Sequence, residues 1–281
     1  MRRGVGTTGP ATHLFLYLIF ACALAAQCLA AEGFFTADTP PAVRAIWPSV
    51  YAYVCETRSG IYTASAFLID KSSRGTVADY YFITAGHALE DCKSPRTYLT
   101  ENINQPTYES DGITVRPPPP RLGSPRPVYT DDAYDIAVVK ATSRLRIGEP
   151  VRVNRNCEQA LHHEIYAVGF PGVTRRKSLH LNREEKRWSK GEYVGLGRAE
   201  FHGKTATYIA STIDSLPGSS GGPVVDDKGL LIGVVAKGVA GDDNEFRYDV
   251  DSQKHDDWQT FLVPCEPVLR IIDNIAVLPT R

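Results

Sequence analysis

A histidine, an aspartate and a serine stand in the order and setting that acyl transfer by an activated alcohol requires. His87 closes the run Thr84-Ala85-Gly86-His87, Asp135 opens the apolar run Asp135-Ile136-Ala137-Val138-Val139, and Ser220 lies inside Gly218-Ser219-Ser220-Gly221-Gly222-Pro223. An alcohol attacks a carbonyl well only when a base within hydrogen-bond reach takes its proton. Imidazole, with an ordinary pKa of about 6.5, takes and returns protons near neutrality. A carboxylate accepting from the other ring nitrogen holds the base in the correct tautomer. Asp135 has the setting for that role, because a carboxylate entering an apolar strand is costly without a partner, whereas Asp131 and Asp132 lack such a strand. The glycines around Ser220 let the backbone turn sharply, so that amides within Gly218, Ser219 and Ser220, those of Gly218 and Ser220 above all, can converge on a developing oxyanion. Singly, each run is commonplace: a Gly-Ser-Ser-Gly-Gly stretch is usually a flexible turn. Together, ordered and separated by 48 and 85 residues, they form a specific signal.

The elements needed to position these residues are also legible. Apolar residues past position 31 come in short bursts rich in Val, Ile, Tyr and Thr, broken by Gly, Pro, Asn and Asp, the rhythm of antiparallel β structure. The bursts predict strands at 51–56, 65–70, 80–84, 136–139, 164–169, 207–210, 223–225 and 231–236. His87 follows the third of these, Asp135 opens the fourth and the Ser220 run precedes the seventh. Helical spacing is clear only over 266–275, where Val268, Leu269, Ile271, Ile272 and Ile275 recur at three and four residues, with Pro267 in the first turn. Residues 116–127, RPPPPRLGSPRP, hold six prolines in twelve positions and predict a stiff surface loop outside any sheet. The mixed charges of 175–190 predict a solvated excursion. No period of 20 to 50 residues repeats, which excludes solenoids and propellers.

The 281 residues carry 31 Lys and Arg against 32 Asp and Glu, so bulk charge gives no reason to expect a nucleic-acid partner. Arg2 and Arg3, the thirteen-residue apolar run 14–26 and the small residues at 28–31 read as an export signal over 1–31, cleaved after Ala30 or Ala31. An uncleaved anchor and a lipid on Cys28 are the competing outcomes. The apolar run is shorter than the roughly 20 residues of a spanning helix. Without Arg2 and Arg3 the chain has 29 basic residues and a net charge of about −3. No stable membrane association is expected after cleavage. Four cysteines remain, Cys55, Cys92, Cys157 and Cys265, each at least 37 residues from the next. That isolation argues against zinc, and an oxidising destination favours disulfides, with three pairings open.

At the His87, Asp135 and Ser220 runs the chain resembles the trypsin-like serine peptidases, over residues 45–275. The order and gaps do not match lipases or subtilisins. The segments 63–69 (TASAFLI), 166–171 (YAVGFP) and 229–235 (GLLIGVV) look like supporting strands of that family. The resemblance is strongest to exported bacterial heat-shock and glutamyl peptidases, with no residues left for a PDZ domain. It implies an all-β fold of two orthogonally packed six-stranded antiparallel barrels and a C-terminal helix. His87 and Asp135 would belong to a barrel over 45–145, and Ser220 and the helix to 155–281. It further implies an exported, secreted or periplasmic serine endopeptidase acting on polypeptides, without metal or organic cofactor. The rival expectation is a peptide-binding or chaperone-like module of the same fold with negligible turnover. The sequence says nothing of oligomeric state.

Departures from the family pattern are informative. Ala88 follows the histidine where animal enzymes have a cysteine, no Ile-Val-Gly-Gly segment awaits release, and Ser219 replaces the aspartate that receives the new amino terminus. Zymogen activation of that kind is not expected. Ala236 replaces a serine that normally supports the aspartate, so Asp135 needs other donors. The resemblance places Asp214 at the floor of the pocket for the residue before the cut, with Ala236, Lys237 and Gly238 on the adjoining strand. A carboxylate there would attract Arg or Lys unless Lys237 neutralises it. Val235 stands where glutamyl peptidases use a histidine, which argues against cleavage after Glu. The resemblance also implies a Cys157–Cys265 bridge, leaving Cys55 for Cys92.

Overall fold

Bursts of β-branched and aromatic residues settle as strands when both faces of a pleated ribbon can be buried, and this chain offers burial on both sides. The computed structural model describes residues 35–56, 61–90, 92, 96–101, 121–171, 186–201, 203–238, 247–249 and 260–275. The expected export signal lies outside the described residues. A one-turn-and-a-half helix α1 (Pro41–Ile46) leads into the first sheet. That sheet comprises β1 (Val50–Glu56), β2 (Ile61–Arg74), β3 (Val77–Ala85), β4 (Thr97–Thr100), β5 (Arg121–Gly123), β6 (Arg126–Asp131) and β7 (Ile136–Ser143), in the order β5-β4-β1-β2-β3-β7-β6. One turn of helix, α2 (His87–Glu90), follows β3. The second sheet holds β8 (Glu164–Gly169), β9 (Arg187–Phe201), β10 (Lys204–Ser211), β11 (Pro223–Val225), β12 (Leu231–Gly238), β13 (Arg247–Asp249) and β14 (Thr260–Pro264), in the order β10-β14-β12-β11-β8-β9-β13. The chain ends its described part in α3 (Cys265–Asn274).

Both sheets curl into antiparallel barrels, as the all-β two-barrel expectation requires. In the second, β9 also pairs with β10, which joins the ends of the order and closes six strands, with β13 added on the flank of β9. In the first, β5 lies against β7. Each sheet thus has seven hydrogen-bonded strands where six were expected, because a three-residue piece pairs at its rim: β5 in one, β13 in the other.

The register explains why β1 shows no polar alternation. Tyr51 and Tyr53 face Phe82, Leu99 and Leu122 inside the first barrel. The intervening Val50, Ala52 and Val54 join Phe67, Val168, Phe170 and Val263 in a core shared by the two sheets. A strand buried on both faces reads as an unbroken apolar run. The second barrel has its own interior of Ile165, Ile209, Val224, Ile232 and Leu262.

Two sequence expectations are corrected. The proline-rich stretch does enter the sheet: Arg121–Gly123 and Arg126–Asp131 are β5 and β6, while 116–120 lie outside the described residues. Both are end strands of the order, where proline's missing donor costs no ladder bond. The charged stretch is corrected at its end, since Arg187 to Lys190 begin β9 and pair with β8, while 175–185 lie outside the described residues. Trp188 is half-buried against Tyr166, at 6.3 Å between ring centroids. The Lys186 ammonium is mostly buried beneath Trp47, Tyr51 and Phe170 and donates to the Trp47 carbonyl; burial pulls its pKa down to about 8.

The disulfides are Cys55–Cys92 and Cys157–Cys265, with Cα separations of 5.8 and 5.5 Å. The second ties the connection between the sheets to the first turn of α3, whose Val268 and Ile271 are buried. It closes a separation of 108 residues. Replacing both Cys157 and Cys265 with Ser is expected to cost about 4 to 5 kcal/mol by loop-closure entropy. Denaturant unfolding of the oxidised parent and the double variant measures this; an unchanged midpoint would contradict it.

Candidate active site

Hydrogen bonds at the end of β3 bring His87 and Asp135 together. The Gly86 N–H donates to the Asp135 carbonyl at 2.8 Å, joining the start of α2 to the turn before β7. Asp135 adopts φ +52°, a left-handed conformation that aspartate tolerates better than most residues. Its carboxylate is 4% exposed. Oδ2 lies 2.6 Å from His87 Nδ1, and Oδ1 accepts the His87 backbone N–H at 2.7 Å. This backbone amide is the donor that Ala236 cannot provide. Gly86 matters by close approach: a Cβ there would meet Asp135 Oδ1 at 2.9 Å. Asp131 instead accepts from the Ala133 N–H and the exposed Asp132 pairs with Lys204, so neither duplicates Asp135.

The Ser220 loop is fixed by its own amides. Ser219 N–H donates to Leu216 O at 2.9 Å, Gly221 N–H to Val235 O at 2.8 Å, and Gly222 N–H to Ser219 O at 2.9 Å. The N–H groups of Gly218 and Ser220 have no acceptor among the described residues. Both residues line a cleft with His87, Tyr53, Tyr62 and Thr63. Ser219, included above among candidate oxyanion donors, is corrected here: its amide turns inward and shapes the loop. Gly221 must be glycine, since it has φ +83° and a Cβ would lie 2.3 Å from the Ser65 carbonyl and 2.6 Å from Ala85 N. Gly221→Ala is therefore expected to lose more than about 3 kcal/mol through strain and overpacking. Thermal unfolding checks this; a stable, native-like variant would refute it.

The remaining candidate residues are placed unequally. Asp214 lines a narrow cavity of about 20 Å³, with Arg187, Trp188, Ser189, Ser219 and Val235. The Asp214 carbonyl accepts from Ser189 Oγ at 3.0 Å. Ala236 is corrected: it is buried in the shared core, and Val235 is the β12 residue at this cavity, because the register shifts between Val235 and Lys237. Lys237 and Gly238 pair with Phe261 and Thr260, and the Lys237 side chain lies outside the described residues. Sequence reasoning missed Arg187, Trp188 and Ser189, whose signal was a tryptophan within a charged run. It also missed the fully buried Ser65, whose hydroxyl touches the Ser220 loop.

A buried carboxylate, an imidazole held by it, and a serine sharing the imidazole's cleft beside two unused amides together suit acyl transfer. A family model described as a trypsin-like peptidase domain matches residues 64–234, a span that includes all three side chains. Among solved structures, a variant of the HtrA-type protease AlgW with a tripeptide matches with a TM-score of 0.55 and 19% identity. The match covers 83% of this chain and 62% of that one, and at such identity the likeness is one of fold. No curated protein gives a significant match.

Proposed function

The chain belongs to the trypsin-like peptidase family and is a serine peptidase, and we propose that it is an exported endopeptidase with Ser220 as nucleophile, His87 as general base and Asp135 as the carboxylate that orients the base. The observation that carries this reading is the Asp135–His87 contact, 2.6 Å from carboxylate to Nδ1, because it directs Nε2 as acceptor toward the cleft that Ser220 lines. In the first step Ser220 Oγ bonds to the scissile carbonyl carbon and its proton passes to His87 Nε2. The carbonyl electron pair becomes an oxyanion received by the Gly218 and Ser220 amides. Collapse breaks the C–N bond, and the imidazolium returns its proton to the leaving amine. Water then attacks the acyl-enzyme with His87 again as base, releasing the carboxylic acid and regenerating Ser220. The buried Asp135 offsets the imidazolium charge in both halves.

Two features support an oxidising, extracytoplasmic destination: the basic-then-apolar leader and the two disulfides. A fluorophosphonate probe tests the nucleophile directly. Modification mapped to Ser220 supports the endopeptidase. No labelling across a range of pH, with or without added peptides, would instead support a peptide-binding module of the same fold.

For specificity, Asp214 supports a preference for Arg or Lys before the cut. Arg187 lines the same cavity, so an incoming cation must displace it, and the cavity must open beyond the room for one water. The preference is accordingly expected to be modest. Asp214→Ser is predicted to weaken cleavage after Arg or Lys about tenfold while changing cleavage after apolar residues less than twofold. Profiling a mixed peptide library with both proteins decides it, and a parent without basic preference would refute the assignment.

A further inference from the structure

On the reading that the Gly218 and Ser220 amides form the oxyanion hole, we propose that Ser65 is the positioning residue that sets it, a buried hydroxyl on β2 that fixes the Gly218 carbonyl from the opposite barrel. Ser65 is 0% exposed, and its Oγ lies 2.8 Å from Gly218 O and 2.8 Å from Phe170 N. The directions of these bonds are settled by chemistry. The Phe170 amide can only donate, so the single hydroxyl proton of Ser65 goes to the Gly218 carbonyl. The Ser65 N–H also donates to Ser220 O at 2.9 Å. One residue therefore holds the carbonyls on both sides of Ser219.

The consequence follows from peptide planarity, which points the C=O and N–H of one unit in opposite directions. The peptide linking Gly218 to Ser219 is held at its oxygen by Ser65 and at its N–H by Leu216 O. The peptide linking Ser220 to Gly221 is held at its oxygen by the Ser65 amide and at its N–H by Val235 O. Between them, the Ser219 carbonyl accepts from Gly222, which sends the Ser220 N–H the other way. Gly218 at φ +97° then sets the direction of its own N–H. That residue has no Cβ to resist rotation. Without the Ser65 hydroxyl, the Gly218 carbonyl and the Phe170 amide lose their partner in a buried site. Rotation at Gly218 toward the cleft it lines would relieve the carbonyl and put an acceptor where the oxyanion needs donors. Space for the hydroxyl is itself kept by a glycine, since a Cβ on Gly169 would fall 2.7 Å from Ser65 Oγ.

The test begins with fluorophosphonate labelling of the unmodified protein. Failure at that stage rejects the nucleophile, and with it the hole that Ser65 is said to set. With labelling established, Ser65→Ala is compared with the parent on the library peptide the parent cuts fastest, and on the trifluoromethyl ketone built from that peptide's acyl side. Expected are a kcat lower by about tenfold to a hundredfold, a KM within about twofold, and a hemiketal that ionises at higher pH by NMR titration. Ser49→Ala is the control: it removes another buried hydroxyl that donates to a carbonyl, that of Glu149. It is expected to keep the parent's hemiketal titration. Ser65→Cys, which retains a weak donor, is expected to fall between parent and Ala, and it carries the same comparison if Ser65→Ala does not fold. Parent-like kcat and titration in the Ser65 variants would overturn the positioning role while leaving Ser220 in place. An equal shift of the hemiketal in Ser49→Ala would overturn it too.

Discussion

Ser220→Ala is expected to fold with an unchanged melting temperature and to lose peptide hydrolysis by a factor on the order of 10⁶. The deletion removes one oxygen and no backbone contact. The loop around Ser220 is held by the amides of Ser219, Gly221 and Gly222 and by the Ser65 N–H, none of which involves the Ser220 side chain. With no hydroxyl to attack, His87 can still present its base and the two amides can still receive an oxyanion, but no acyl-enzyme forms. The measurement is kcat on a cleaved peptide, with the fluorophosphonate label as a second readout. Hydrolysis persisting within a hundredfold of the parent, after contaminating peptidases have been removed, would show that another residue is the nucleophile.

Asp135→Asn should lower kcat about 10⁴-fold near neutral pH while leaving substrate binding little changed. The amide is nearly isosteric with the carboxylate, and its oxygen can keep the bond from the His87 backbone N–H, so the turn before β7 survives. Opposite Nδ1, however, an NH₂ group can replace the acceptor oxygen now 2.6 Å away. The imidazole then takes the tautomer with its proton on Nε2 and cannot accept from Ser220. The developing imidazolium also loses its neighbouring negative charge. Asp132→Asn provides the contrast, because its exposed pair with Lys204 contributes less than about 1 kcal/mol and lies outside the His87 contacts. Equal losses in the two variants would mean that general charge, not the orienting carboxylate, sustains the reaction.

The parts of this protein that were legible from residue order are those whose physics is local. The His87, Asp135 and Ser220 runs combine residue type with a short-range setting, and the match of a trypsin-like peptidase model over 64–234 bears out the family they suggested. Strands such as β1 and the first half of β7 announce themselves because burial on both faces demands unbroken apolar residues. The helix α3 was bounded to within one residue, since a face packed on a core must repeat every three or four positions. Long-range pairing carries no such local mark. β5 and β6 are drawn from a polar, proline-rich stretch, and they become strands only because β4 and β7 present open edges to them. β9, charged at its start and glycine-bearing beyond, is held by three partners, β8, β10 and β13, that its own residues do not specify. Ser65 is one hydroxyl in a run of small residues, and its partners Phe170 and Gly218 lie 105 and 153 positions away. Sequence alone determined which groups could do the chemistry. Closure of two barrels against a common core decided which amides stay unpaired in the cleft, because a hydrogen bond's partner depends on where distant strands come to rest.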